Sequence, residues 1–179
     1  MAGTMLGEAT PVPAASVIVL RNDPLEVLLL RRSDRSSFVP GAWVFPGGVA
    51  EENETMAEVA ARETREEAAI SLDPHALVLT SRWITPVGLP KRFDTHFFLA
   101  EVSRDVEAKI DGHEIVDALW ITPSDALAKR RDLHLVFPTI KNLEAIAGFA
   151  DARALIESRR GARIEPVLPV LIDGKPALK

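Results

Sequence analysis

Three glutamates of one predicted helix have the spacing of a metal-binding or proton-transfer cluster. At about 100° per residue, Glu66 and Glu67 fall on either side of Glu63, so the three carboxylates share one narrow stripe. Their repulsion is unfavourable unless a cation or well-placed arginines occupy the site. Mg²⁺ and Mn²⁺ prefer carboxylate and carbonyl oxygens, and Gly47 and Gly48 lie just upstream of the helix. The pattern predicts a divalent cation site where a sharp glycine turn meets the helix.

The helix that must position these carboxylates has a recognisable start and a face for burial. Thr55 with Glu58 three residues later forms a capping box, which predicts a first helical turn at about Met56. A second stripe of small side chains predicts close packing against a sheet. Its members are Ala57, Ala60, Ala61, Thr64 and Ala68. An alternative stays open, because glutamate-rich helices are usually solvated and Arg62 with Glu66 is an ordinary i,i+4 pair.

The full spacing around the cluster resembles the Nudix box, G-x5-E-x7-R-E-U-x-E-E-x-G-U, where U is an apolar residue. The matching residues are Gly48, Glu54, Arg62, Glu63, Glu66, Glu67 and Ile70. Thr64 stands where an aliphatic residue is usual, and its methyl group can substitute on the buried stripe. Ala69 stands where a second glycine is usual, which predicts a different exit from the helix.

This resemblance implies a fold and a metal site. The fold is an α/β protein, an α/β/α sandwich with a central mixed sheet. The activity is hydrolysis of a nucleoside diphosphate linked to another group, with two or three Mg²⁺ or Mn²⁺ ions. Their ligands would be Gly47 through its carbonyl, Glu63, Glu66 and Glu67.

The resemblance also implies roles in catalysis. Glu66 or Glu114 takes the proton of the attacking water, and the choice between them stays open. Arg62 orients neighbouring carboxylates by hydrogen bonds, while Glu54 pairs with it or ligates a metal at the edge of the site.

The residues before the box resemble the signature of Nudix coenzyme A pyrophosphatases. The matching segments are Leu28-Leu29-x-x-Arg32-Ser33 and Gly41-x3-Phe45-Pro46-Gly47-Gly48. Ser37 replaces a second arginine of that signature, and Arg35 is the nearest substitute. The segments around Trp83 and Arg92 resemble acyl-CoA-hydrolysing members, whose usual insertion in the box is absent here. The favoured substrate is coenzyme A or acyl-CoA, giving 3′,5′-ADP and (acyl-)phosphopantetheine.

Four cationic residues are the candidate contacts for the phosphates of this small-molecule substrate. They are Arg32, Arg35, Lys91 and Arg92. Each of them is also compatible with a solvated loop. Two alternative functions stay open: a diphosphatase for ADP-ribose, a dinucleotide or a nucleotide sugar, and a nucleotide-binding module without catalysis.

Length and composition predict one domain of an ordinary soluble protein. The chain has 179 residues, no cysteine and a net charge of −5, which excludes disulfides and disfavours a nucleic-acid surface. The first residues lack the features of a signal peptide, and no apolar run is long enough to cross a membrane. We therefore expect a cytoplasmic protein with no membrane or nucleic-acid partner, and a homodimer is compatible with the resemblance.

Hydrophobic patterns and turn signals give the order of the elements. Residues 1–14 are predicted as a flexible lead-in and 15–179 as the domain, with C-terminal helices and an extended tail from about 134. Strands are predicted at 15–20, 25–30, 42–45, 76–80, 82–85, 93–102 and 115–121. Helices are predicted after Thr122, at 138–148 and at 151–159, followed by an extended segment at 164–171 and a turn at 173–174.

Overall fold

Strand β1 (Val12–Arg21) is paired along both edges in the computed structural model, which describes residues 8–179. On one edge it runs parallel to β6 (Phe93–Glu101). On the other edge it pairs antiparallel with β2 (Glu26–Arg32) and with β4 (Gly47–Val49). The central sheet is therefore mixed, as the resemblance implies.

The remaining elements complete this sheet and its covering helices. They are β3 (Trp43–Val44), α1 (Met56–Ala68), a short 3-10 helix (Pro74–Ala76), β5 (Val78–Ile84), β7 (Ile115–Ile121), α2 (Pro123–Ala128), α3 (Phe137–Ile146), α4 (Ala152–Arg159), β8 (Pro166–Val167), β9 (Val170–Ile172) and β10 (Lys175–Ala177). The strand order is β3-β2-β1-β6-β5-β8, with β4 beside β1 and β7 beside β2. Strands β9 and β10 form a separate hairpin.

Alternating side chains of β1 divide the core into two layers. Val17 and Val19 belong to the apolar cluster that contains Val59 of α1. Ile18 and Leu20 belong to the other cluster, which contains buried residues of α2, α3 and α4. Successive side chains of a strand point to opposite faces of a sheet, so helices cover both faces. The predicted α/β/α sandwich is confirmed.

Helix α1 begins and packs as its sequence predicts. The Thr55 hydroxyl accepts a hydrogen bond from the Glu58 amide at 3.2 Å, and the Glu58 carboxylate accepts one from the Thr55 amide at 2.7 Å. The capping box and the start at Met56 are thus confirmed. Most of the small-residue stripe is buried, and the Thr64 hydroxyl donates to the Ala60 carbonyl at 2.8 Å.

The predicted sharp turn at the glycine pair is wrong. Gly47 and Gly48 belong to β4, and neither has a positive φ. A Cβ at Gly47 would overlap the hydroxyl of Ser16 on the neighbouring strand, and one at Gly48 would overlap the carboxylate of Glu63. Gly47 therefore needs glycine because the backbone of β1 approaches closely, and a side chain at position 48 would displace the Glu63 carboxylate; neither position needs glycine for a turn.

The predicted change in the exit of α1 is also wrong. Ala69 adopts the left-handed conformation, with φ 55°, and its amide donates to the Arg65 carbonyl at 3.0 Å. This is the helix ending that glycine usually provides. The alanine keeps the geometry and carries the steric cost of its Cβ.

Two other features of the strands differ from prediction. Strand β1 begins at Val12, inside the predicted lead-in, because its backbone pairs with β6 from Phe93 onward; residues 1–7 of that lead-in lie outside the described part of the chain. The two strands predicted at 76–80 and 82–85 form the single strand β5, whose pairing with β6 shifts between Leu79 and Ser81. The bulge breaks the alternation of side chains and imitates a strand end.

The C-terminal segment returns to the sheet. Strand β8 pairs parallel with β5, and the predicted turn at 173–174 joins β9 to β10. Among residues 8–179, no helix combines the length and the apolar character that crossing a bilayer requires.

Candidate active site

A cavity of about 710 Å³ lies over strands β4, β1, β6 and β5. Helix α1 contributes carboxylates to its wall, and the first turn of α3 and the C-terminal tail contribute apolar groups. The cavity thus brings the predicted metal-binding carboxylates of α1 close to the C-terminal tail, more than one hundred positions away in sequence.

Two sides of this cavity differ in chemistry. We call Gly47, Gly48, Glu63, Glu67 and Glu114 the acidic side. We call Trp83, Leu89, Phe137, Pro169 and Pro176 the apolar side. Gly47 on β4 and Trp83 on β5 are separated by three strand spacings, which corresponds to about 14 Å.

Glu67 is the most perturbed carboxyl group of the acidic side. It is partly buried, and its Oε2 accepts a hydrogen bond from the Gly47 amide at 3.0 Å. The pKa of Glu67 is raised to about 8, chiefly by burial; the Gly47 hydrogen bond opposes the shift, and the negative charge of Glu63 contributes to it. Loss of water around the carboxyl group, more than a neighbouring charge, therefore sets the pKa of Glu67.

Arg62 holds the neighbouring carboxylates in place. Its guanidinium donates to both carboxylate oxygens of Glu54, at 2.7 and 3.0 Å, and to Glu63 at 2.8 Å. The pKa of Arg62 is raised, chiefly by its hydrogen bond to Glu54, and the same bond lowers the pKa of Glu54 to about 2. The Arg62 contact does not fully compensate the negative charge of Glu63, because burial still raises the pKa of this carboxyl group.

The two candidates for the proton acceptor occupy different environments. Glu66 does not line the cavity; its side chain is 54% exposed and accepts a hydrogen bond from Arg62 at 3.3 Å. Glu114 lines the cavity from the loop before β7. The Glu114 carbonyl accepts a hydrogen bond from the Ser33 amide at 2.8 Å, which ties this loop to the end of β2.

The acidic side fits divalent cations by its chemistry, although its carboxylates are not gathered into a finished ligand cluster. Within residues 8–179, no three His, Cys, Asp or Glu side chains are arranged to hold a metal ion. Arg62 draws Glu63 and Glu66 to itself, and Glu67 turns to the Gly47 amide. Hard oxygen donors with raised carboxyl pKa values and too little positive charge suit Mg²⁺ or Mn²⁺.

The four predicted phosphate contacts separate into two pairs. Arg32 and Lys91 line the cavity. Arg35 is exposed and does not line it. Arg92 is 5% exposed and also lies outside the lining; its guanidinium donates to Glu8 at 2.5 Å and to the Thr85 carbonyl at 3.0 Å. The structure therefore gives Arg92 a role in fixing the N-terminal segment and the β5–β6 loop.

Sequence reasoning missed most of the apolar side. Trp83 packs edge-on against Phe137 of α3, with ring centroids 6.0 Å apart. Pro169 and Pro176 come from the tail, whose Leu171 lies close to Gly88 of the β5–β6 loop. The only local signal was the segment around Trp83, because contacts between distant segments leave no spacing pattern in a sequence.

Known proteins with a similar sequence or fold agree with this geometry. Residues 10–139 match the NUDIX domain. The chain is 33% identical over 161 residues to the NAD-capped RNA hydrolase NudC of Stutzerimonas stutzeri (strain A1501), covering 88% of this chain and 48% of that protein. It is 27% identical to the human m7GpppN-mRNA hydrolase NUDT17, covering 62% of this chain and 38% of that protein. The chain thus spans about half or less of the length of these relatives.

A solved structure shows the same fold. The NUDIX hydrolase from Alicyclobacillus acidocaldarius superposes with a TM-score of 0.72 and 26% identity, covering 83% of this chain and 96% of that one. The domain match covers the whole segment from β1 to the first turn of α3, including every residue of the box. This chain therefore belongs to the Nudix hydrolase family.

Proposed function

We propose that this protein hydrolyses the diphosphate bond of a nucleoside diphosphate derivative with the help of Mg²⁺ or Mn²⁺. The observation that carries the proposal is that Glu63, Glu67 and Glu114 line the same cavity as the apolar side. Carboxylates and metal ions act on the diphosphate, while the wall receives the groups attached to it.

The acidic side divides into binding and orienting roles. Glu63, Glu67 and the Gly47 carbonyl would hold the cations, with Glu66 at the solvent edge. When bound, the cations neutralise the charge that develops on the phosphate oxygens. Arg62 keeps Glu63 in position through the 2.8 Å hydrogen bond, and it is a positioning residue because it does not line the cavity.

Glu114 is the better candidate for the general base. It lines the cavity, whereas Glu66 lies outside the lining and is paired with Arg62. A general base must come within hydrogen-bond reach of the water that it deprotonates. Arg32 and Lys91 complete the site as contacts to the substrate phosphates, and Arg35 and Arg92 are left out.

The favoured substrate is a dinucleotide such as NADH. Among the described residues that line the cavity, only Arg32 and Lys91 are cationic, whereas several are aromatic. This lining suits a molecule with two flat rings better than one with an additional phosphate. The name of the S. stutzeri relative, an NAD-capped RNA hydrolase, supports the same class. The expected absence of a nucleic-acid partner stays a prediction, as does the homodimer.

Coenzyme A or acyl-CoA is the second candidate. The Leu28–Gly48 signature favours it, and the apolar side could receive a pantetheine or acyl chain. ADP-ribose and nucleotide sugars remain in the same reaction class. The non-enzymatic alternative is a module that binds nucleotides without cleaving them.

Product analysis separates these possibilities. The protein is incubated with NADH, ADP-ribose, coenzyme A or an acyl-CoA and either Mg²⁺ or Mn²⁺, and the products are resolved by chromatography. We expect AMP and reduced nicotinamide mononucleotide from NADH, at a higher kcat/KM than for the other substrates. Preferred release of 3′,5′-ADP would establish the coenzyme A alternative. Binding of all four without turnover in either metal would contradict the enzymatic proposal.

A further inference from the structure

An aromatic side chain stands exposed at the wall of the cavity. Phe38 lies in the loop between β2 and β3, lines the cavity and is 39% exposed. Its ring packs edge-on against Phe93 at the start of β6, with centroids 5.0 Å apart and an interplanar angle of 65°. Phe93 also lines the cavity, so the pair presents aromatic surface to a ligand.

Hydrogen bonds fix the loop that carries Phe38. The Arg32 Nε donates to the Phe38 carbonyl at 2.9 Å, and its Nη2 donates to the Ser36 hydroxyl at 2.7 Å. That hydroxyl donates to the same Phe38 carbonyl at 3.1 Å. Arg32 also lines the cavity that the acidic side borders. One arginine therefore holds the Phe38 loop and faces the space where the substrate would bind.

The backbone next to Phe38 is strained. Val39 has φ 41°, in the left-handed region that β-branched residues rarely adopt, and it also lines the cavity. Such strain persists where the surrounding structure enforces it, and it is concentrated at ligand sites. An exposed phenylalanine on a strained, hydrogen-bonded loop indicates that this surface is held ready for a ligand.

We infer that the Phe38–Phe93 pair is the platform on which the nucleobase of the substrate stacks. The inference rests on the proposed function for the reaction, and it assigns a specificity-determining residue to it. Stacking on an aromatic ring accepts any base, because every base has a π-face. Since Arg32 lines the cavity as a candidate phosphate contact and also holds the Phe38 loop, the platform receives the base of the nucleoside at the diphosphate, and the apolar side receives the other group.

Replacement of Phe38 separates base binding from chemistry. Phe38→Ala is expected to raise KM about tenfold for NADH, ADP-ribose and coenzyme A by the same factor, because all three contain adenine. The kcat is expected to stay within about twofold. Phe38→Trp restores the stacking surface and returns KM close to that of the wild type. A KM factor that differs among the three substrates, or an unchanged KM, overturns the assignment to the base.

A matched control tests whether any loss of exposed apolar surface has this effect. Val87 is 50% exposed in the β5–β6 loop and does not line the cavity. Val87→Ala is expected to leave KM and kcat unchanged. A KM increase equal to that of Phe38→Ala would show that the effect is not specific to the platform.

Binding of AMP tests the platform without any turnover. Calorimetry is expected to show AMP binding weakened about tenfold in Phe38→Ala and binding of inorganic pyrophosphate unchanged. If the wild type cleaves no diphosphate, the proposed function fails, while this difference in AMP binding still supports the platform. Equal AMP affinity of the wild type and Phe38→Ala, with both proteins folded, overturns it.

Discussion

The acidic and apolar sides of the cavity are held in place by different forces. On the acidic side, hydrogen bonds from Arg62 and from the Gly47 amide fix the carboxylates of Glu63 and Glu67. On the apolar side, Trp83 and Phe137 pack edge-on, and β8 of the tail adds to the edge of the sheet beside Trp83. Directional bonds set the position of charge to within a fraction of an ångström, whereas apolar packing tolerates changes of shape.

We therefore expect the acidic side to determine the rate of the chemical step and the apolar side to determine which substrate binds. Changes on the acidic side should alter kcat, because they move or remove charge next to the reacting phosphates. Changes on the apolar side should alter KM, because they remove contacts made equally in the ground state and the transition state. Substitutions on the two sides should therefore act independently on the two kinetic constants.

The largest effect is expected from Glu67→Gln. We expect kcat to fall about 100-fold or more at saturating Mg²⁺, because the variant loses one negative oxygen that holds a cation. The fold should be retained, since burial already favours the neutral form of this carboxyl group. Initial rates and thermal unfolding of the purified variant measure both effects.

The matched control for this substitution is Glu52→Gln. Glu52 is exposed on the loop between β4 and α1 and does not line the cavity. The same chemical change there should leave the rate unaltered. Retention of more than a tenth of the wild-type rate by Glu67→Gln would remove Glu67 from the proposed ligand set.

The metal-free protein should lose stability as the pH rises. The pKa of Glu67 is raised from 4.5 to about 8 in the fold, so the neutral acid stabilises the protein below pH 4.5. This contribution is lost progressively between pH 4.5 and about 8, at no more than about 1.4 kcal/mol per pH unit. Urea unfolding with a chelator across this range measures the loss.

Two comparisons identify the cause of that slope. Saturating Mg²⁺ should reduce it, because a bound cation favours the charged form of the carboxyl group. Glu67→Gln should also reduce it, since the titrating group is gone. An equal slope in the wild type with and without Mg²⁺ would be inconsistent with cation binding at the acidic side.

The same contrast explains how much the sequence revealed. Glu63, Glu67 and Arg62 lie within one helix whose period and cap are local, so their shared position was predictable. The apolar side combines the β5–β6 loop, the first turn of α3 and the tail, and no local pattern links them. Arg92 shows the remaining difficulty, because its sequence context cannot tell a phosphate contact from a buried arginine that is paired with an exposed Glu8.

A smaller effect is expected from Pro169→Ser on the apolar side. Pro169 is buried and lines the cavity, so a polar side chain there removes an apolar contact to the substrate. We expect KM for NADH to rise about three- to tenfold with little change in kcat. Steady-state kinetics at saturating metal measures both constants.

The neighbouring residue gives a matched control for the tail. Leu168 is 51% exposed and does not line the cavity, so Leu168→Ser should leave both constants unchanged. A fall in kcat with unchanged KM in Pro169→Ser would contradict the division, because the tail would then act on the chemistry of the acidic side.

The smallest effect tests the end of α1, where the acidic helix stops. Ala69 is exposed and has φ 55°, so Ala69→Gly removes the steric strain that the Cβ causes in the left-handed conformation and leaves no cavity. The greater freedom of glycine in the unfolded chain offsets part of this gain, and a net stabilisation of about 0.5–1 kcal/mol remains. Chemical denaturation should show this stabilisation. The kcat should not change, because the backbone amide at position 69 still donates to the Arg65 carbonyl. A loss of stability would mean that the alanine side chain makes a favourable contact that outweighs its left-handed conformation.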